Sequence, residues 1–214
     1  MKTLRWIPGL AAACLLLLGA CDDATGPEEM GQIQILLTDA PADYIESAEV
    51  WISRAYLKGG SDEGEETEEE SENGGPINLF EAGEGDPLYF DLLTLQDGIT
   101  ANLTSAEGVE AGVYRQLRLV VDDAVVTLKP GYEFKNGGVS EALKVPSGMT
   151  SGIKVHLNGP IEITEGTLTI VTVDFDVNDN FKLQGNPDTP AGINGVLFTP
   201  TLKEKGRTEE EVSG

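Results

Sequence analysis

From Gln32 onward the chain is built of short runs in which apolar side chains recur at every second position, the period of a strand with one buried face. QIQILLTDAP, residues 32–41, alternates and then closes on a turn-forming Asp-Ala-Pro. Val50 to Leu57 is a second β-rich run, with Trp51 and Tyr56. Leu88 to Leu95 ends at Gln96-Asp97-Gly98, and Asp-Gly is a strong turn dipeptide. In Val113 to Val121, residues Val113, Leu117, Leu119 and Val121 share one parity. Asp122-Asp123 is then expected to turn the chain into Ala124–Leu128, a hairpin partner. Ile153 to Leu157, Ile161 to Thr164, Thr167 to Val177 and Gly195 to Leu202 continue the series, with Val171, Val173, Phe175 and Val177 on one face.

After residue 20 the helical period is absent, apart from a short turn of helix expected near Leu92 or Ser105. The pattern predicts an all-β domain over residues 32–203. Its expected form is a single antiparallel β-sandwich, immunoglobulin-like or transthyretin-like, or a related barrel, with little helix beyond the N-terminal segment. The polar tail, residues 204–214, is expected to fray.

The first twenty residues follow a different rule. Lys2 and Arg5 precede an apolar run from Trp6 to Leu18, then Gly19 and Ala20, the layout of a cleaved export signal. The run is about a dozen residues, short of the roughly 20 that cross a bilayer as a helix. Leu18-Gly19-Ala20-Cys21 resembles the lipobox of bacterial lipoproteins. The resemblance implies a signal peptide at 1–20 and a diacylglycerol, with palmitate-type chains, on the Cys21 sulfur. Only a thiol forms that thioether, and two or more acyl chains anchor stably where one does not. Residues 21–31 are then a flexible tether. Asp22 leaves the choice between inner and outer membrane open.

Charge narrows the partners. The chain has 37 acidic and 14 basic residues, and loss of Lys2 and Arg5 would move its formal charge from −23 to −25. Such a surface repels nucleic acid and anionic headgroups and suits divalent cations. Eight of the eleven residues from Asp62 to Glu72 are acidic, so a disordered loop is expected near 59–75. Cys14 lies within the signal, which leaves only Cys21 and no disulfide.

Candidate chemistry is sparse. The sole histidine, His156, sits in the alternating IKVHL with no nucleophile or orienting partner near in sequence. Ser151 and Lys154 match S-x-x-K, but the companion S-D-N and K-T-G motifs are missing. No G-x-S-x-G, phosphate-binding glycine loop or zinc spacing is present. A calcium site is the better hypothesis. Asp174, Asp176, Asn178 and Asp179 place oxygen ligands as at the start of an EF-hand loop. The match then breaks, because Asp179 stands where glycine is required and Gly185 where glutamate is. Asp39 and the Asp122-Asp123 pair are weaker versions of the same idea. Trp51, Tyr56 and Tyr114 could line a sugar-binding face, or serve the core and cross-strand pairs.

Several motifs together resemble one family. They are Ile35–Pro41 (ILLTDAP), Asp91–Gly98 (DLLTLQDG), Ala111–Leu119 (AGVYRQLRL), Leu143–Gly148 (LKVPSG) and Val173–Asp176 (VDFD). In this order they resemble the domain of unknown function 4382 family, found in prokaryotic exported proteins and often in lipoproteins. The resemblance covers roughly residues 31–203, with the acidic stretch where a variable loop is expected. It implies a β-rich, sandwich-like extracytoplasmic domain and transfers no catalytic residue. The expectation is therefore a lipid-anchored, non-enzymatic cell-envelope protein, joined to a membrane through Cys21, that binds an unidentified protein or glycan or plays a structural part. The alternatives are a calcium- or carbohydrate-binding module and a hydrolase with paired carboxylates; calcium is the one cofactor in view.

Overall fold

Strand alternation becomes burial in β1 (Met30–Thr38), which buries Ile33, Ile35 and Leu37 and leaves Gln32 and Gln34 half-covered. The computed structural model describes residues 29–59, 75–83, 86–145, 151–189 and 192–212. The expected signal peptide at 1–20, Cys21, the tether to residue 28, the acidic run Asp62–Glu72 and the Pro146-Ser147-Gly148 end of LKVPSG lie outside the described residues.

The first half of the domain continues with β2 (Ile45–Lys58), β3 (Ile77–Glu81), β4 (Leu88–Asp91), a 3-10 turn at Leu92–Leu95, β5 (Ala101–Glu110), β6 (Gly112–Tyr114) and β7 (Gln116–Leu128). The second half comprises β8 (Ser140–Leu143), β9 (Ile153–His156), β10 (Ile161–Ile163), β11 (Thr167–Asp174), the one-turn helix α1 (Val177–Asn180), β12 (Phe181–Asn186), β13 (Gly192–Phe198) and β14 (Leu202–Glu211). The main sheet runs β3–β2–β7–β9–β14–β11–β1–β5, with β4 also paired to β2 and β8 to β7. It curls until its edges meet, where Thr104 Oγ1 on β5 donates to the Leu79 carbonyl on β3 at 3.1 Å. β6 pairs with β10, and β12 with β13, as separate two-stranded ladders.

The mostly-β expectation holds, but the single antiparallel sandwich does not. The sheet is mixed and nearly closed, because β1 pairs parallel with β11 and β14 parallel with β9. Alternation reports which face is buried, not which way a neighbour runs. Two boundaries also move. β1 starts at Met30 rather than 32, and the tail expected to fray is strand to Glu211, paired with β11 as far back as Thr167. Its side chains are exposed from Thr208 on, so backbone hydrogen bonds hold it and no apolar pattern marks it. A short helical turn does form at Leu92, whereas Ser105 lies within β5.

Asp122-Asp123 does not make a turn. β7 passes straight through it, with a bulge where Trp51 faces Asp123 and Ile52 faces Val121. β2 has its own bulge at Ser53, since Arg54 faces Val120. The skipped residues meet: Ser53 Oγ donates to Asp122 Oδ1 at 2.7 Å. Each bulge inserts one residue, so the buried parity switches. In β7 it runs Leu117, Leu119, Val121 and then Ala124, Val126, Leu128; in β2 it runs Ala48, Val50, Ile52 and then Ala55, Leu57. The ladder regains its register beyond the pair, and the local bend helps the sheet to coil.

Strand directions define two ends. Met30, Glu110, Thr167 and Glu211 lie at the entry end of β1, and Thr38, Ala101, Asp174 and Lys203 at the far end. At the entry end the turn before β11 crosses β1 closely, and a Cβ on Gly31 would stand 2.5 Å from the Thr164 carbonyl oxygen. Towards the far end, Phe175 stacks on Phe198 at 6.3 Å between centroids, and Phe181 leans on Phe198 at 4.9 Å, so α1 and the β12–β13 hairpin plug the core there.

Candidate functional site

The Thr-Asp-Ala-Pro turn at the end of β1 is held from two sides. Thr38 Oγ1 donates to the carbonyls of Leu95 (3.2 Å) and Ile99 (3.1 Å), and the Asp39 N–H donates to Leu95 O at 3.0 Å. The Phe175 N–H donates to Thr38 O at 3.0 Å. These bonds draw Asp39 inward until it is 2% exposed. Its Oδ1 accepts the Val177 N–H at 2.8 Å, the first free donor of α1, while Oδ2 has no hydrogen-bond partner among the described residues.

A carboxylate so placed is costly to ionise. Burial is the main reason that the Asp39 carboxyl is pushed up to about 7, and the neighbouring Asp176 and Asp174 add to it. The N–H groups of Val177 and Ala40 pull the other way without offsetting it. Among the described residues no cation comes close enough to reverse the balance.

The three predicted calcium ligands share this corner but turn to separate partners. Asp174 Oδ1 accepts the Asp176 N–H at 3.2 Å. Asp176 caps α1, accepting from the N–H groups of Asn178 (3.0 Å) and Asp179 (3.2 Å), which is why the chain turns into a helix here. Asp179 faces solvent and pairs with Lys203 at 3.0 Å and Lys182 at 3.5 Å. Its hydrogen bond to Lys203 holds its carboxyl below the usual range, and Asp179 in turn raises Lys203. Among the described residues no group of three or more His, Cys, Asp or Glu side chains is placed to hold a metal ion. The asparagines are structural. Asn178 Nδ2 donates to the Pro41 carbonyl; buried Asn180 donates to Asp176 O at 2.8 Å and accepts from the Thr201 N–H.

The other candidates are dispersed. Asp122 serves the double bulge. Tyr114 is buried with its hydroxyl on Glu110 O (2.8 Å), and Tyr56 is buried with its hydroxyl on Ser151 O (2.6 Å) and the Arg54 guanidinium over its ring. Trp51 makes a cross-strand pair with Tyr89, centroids 5.3 Å apart. The three aromatics thus form no shared platform. Ser151 leads into β9, and Lys154 and His156 follow two residues apart on that strand. Among the described residues neither Asp39 nor His156 has a nucleophile hydrogen-bonded to its side chain.

What sequence reasoning missed is the burial of Asp39. The Asp-Ala-Pro turn is legible, but the helix that covers it lies 138 residues along the chain. The family model described as a domain of unknown function (DUF4382) matches residues 30–189, about three quarters of the chain, from the start of β1 to the turn after β12. No curated protein and no solved structure matches it.

Proposed function

Because the chain belongs to the domain of unknown function 4382 family, whose description assigns no reaction, we propose that it is an exported, lipid-anchored and non-catalytic envelope domain that presents its far end to a partner. The Leu18-Gly19-Ala20-Cys21 pattern supports the anchor. The polarity of β1 supports the presentation, and is the observation on which the reading rests. Met30 and the Asp39 corner occupy opposite ends of that strand.

Met30 lies nine positions after Cys21, and an extended chain spans at most ~3.6 Å per residue. The entry end would therefore sit within roughly 30 Å of the lipid. That end carries Glu29, Glu110, Glu165 and Glu209 to Glu211. Anionic headgroups repel such a rim, so the domain stands off the bilayer with α1 and the β12–β13 hairpin outward. The non-catalytic part of the reading is supported by the corner itself, where the carboxyl that burial raises, Asp39, is sealed from solvent. The test is fractionation of cells expressing the full chain. Wild type is expected with membranes and bearing acyl mass on Cys21, and Cys21→Ser in the soluble exported fraction; an unacylated wild type, or a variant that stays with membranes, overturns the reading.

A further inference from the structure

In this strongly acidic chain, three basic side chains gather in one place. Arg115, Lys154 and the sole histidine, His156, line a cavity of about 160 Å³ together with Leu157, Gly159 and Pro160, and among the described residues no carboxylate lines it. We propose that this cavity binds a phosphate-type oxyanion carried on a small organic group.

The backbone brings these three side chains close. Arg115 is the single residue between β6 and β7, pinned by its N–H to the Lys58 carbonyl at 3.1 Å. Lys154 and His156 are two apart on β9, so their side chains leave the same face of the strand. Neither the Arg115 guanidinium nor the His156 imidazole has a hydrogen-bond or ion-pair partner among the described residues.

The opposite wall, the turn at 157–160, is held rigid from behind. Glu204 Oε2 accepts the Asn158 N–H at 2.9 Å, and the Asn158 side-chain amide donates to Glu204 O at 3.2 Å. Arg207 donates to the carbonyls of Gly159 (3.1 Å) and Pro160, and pairs with Glu204 at 2.8 Å. The pair is nearly sealed, with side chains 19% and 3% exposed. Glu204 is thus neutralised behind the wall and does not cancel the positive potential in front of it. The Arg115 guanidinium and the His156 ring N–H are donors that suit oxyanions with several acceptor oxygens. The volume holds roughly five waters at ~30 Å³ each, which suits a tetrahedral group of five heavy atoms. Leu157 and Pro160 add an apolar side for the carbon of an ester.

The ligand could be a free phosphate ester or a lipid headgroup, and the assay separates them. The full chain is titrated calorimetrically with glucose 1-phosphate and, separately, with phosphatidylglycerol vesicles against phosphatidylcholine vesicles. Saturable 1:1 binding of the ester points to a soluble ligand; binding to phosphatidylglycerol alone points to a headgroup. In either case Arg115→Gln and His156→Gln, both exposed and outside the core, should each weaken binding about tenfold. Lys135→Gln, which removes the same charge as Arg115→Gln but at an exposed loop residue, should leave it unchanged. Absence of saturable binding to either probe, or equal weakening by all three substitutions, overturns the proposal.

Discussion

Two buried carboxylates, one on β14 and one just past the end of β1 with only β11 between those strands, are solved in opposite ways. Glu204 is 7% exposed and has a guanidinium at 2.8 Å plus an asparagine N–H at 2.9 Å. Asp39 is 2% exposed and has one N–H on Oδ1, nothing on Oδ2 and two aspartates as its charged neighbours. Burial alone therefore does not decide a carboxylate's state; the sign of its companions does. The first arrangement fixes a turn. The second makes a group that exchanges a proton near neutrality.

The largest effect should come from turning the first site into the second. Arg207→Met leaves Glu204 buried without its cation and should cost about 3 kcal/mol in urea denaturation at pH 8, with loosened amide protection at residues 158–160. A loss under about 1 kcal/mol would mean that Glu204 is hydrated once its partner is gone.

Turning the second site neutral should work in reverse. The folded Asp39 carboxyl holds its proton to about 7, against 3.8 without the fold's influence. Between those values the folded state binds more protons, so stability falls as pH rises through the interval, and the loss is complete above the upper value. Asp39→Asn should thus be more stable than wild type at pH 8 by on the order of 2 kcal/mol, allowing for partial screening, and about equal at pH 4. Equal pH profiles for the two proteins would sink this account.

A smaller change sharpens the role of the neighbours. Asp176→Ala removes the cap of α1, at a cost of about 1 kcal/mol, and also one negative charge facing Asp39. The carboxyl-carbon NMR titration of Asp39 should move to lower pH. The smallest effect belongs to the exposed pair. Lys203→Gln should change stability by about 0.5 kcal/mol or less in thermal melts, since Lys203 and Asp179 are each about half exposed.

The contrast also shows what a chain reveals before it folds. β1 and β11 are legible because their alternation is unbroken, down to the shared face of Val171, Val173 and Phe175. β7 misleads because Asp122-Asp123 has the composition of a turn, whereas the parity switch on either side is the mark of an inserted residue. β14 is invisible because its charged residues are held by backbone pairing alone over much of its length. The two carboxylates could not be distinguished by sequence. Asp39 looks like an ordinary turn residue and Glu204 like part of a polar tail, and each is buried by segments distant in the chain. The calcium spacing at 174–179 is present in the letters, but helix capping and two lysines take up its oxygens.

The stitched pair Ser53 and Asp122 makes the curvature of the wall a matter of two letters. Removing either one alone slips half of the long β2–β7 ribbon by a notch and everts its oily side. Removing both together restores the alternation across the stitched point in each strand, with Ile52 and Val121 still abreast. Such a doubly shortened chain should keep its ribbon yet flatten it, drawing β3 away from β5 and leaving the cylinder ajar along that seam.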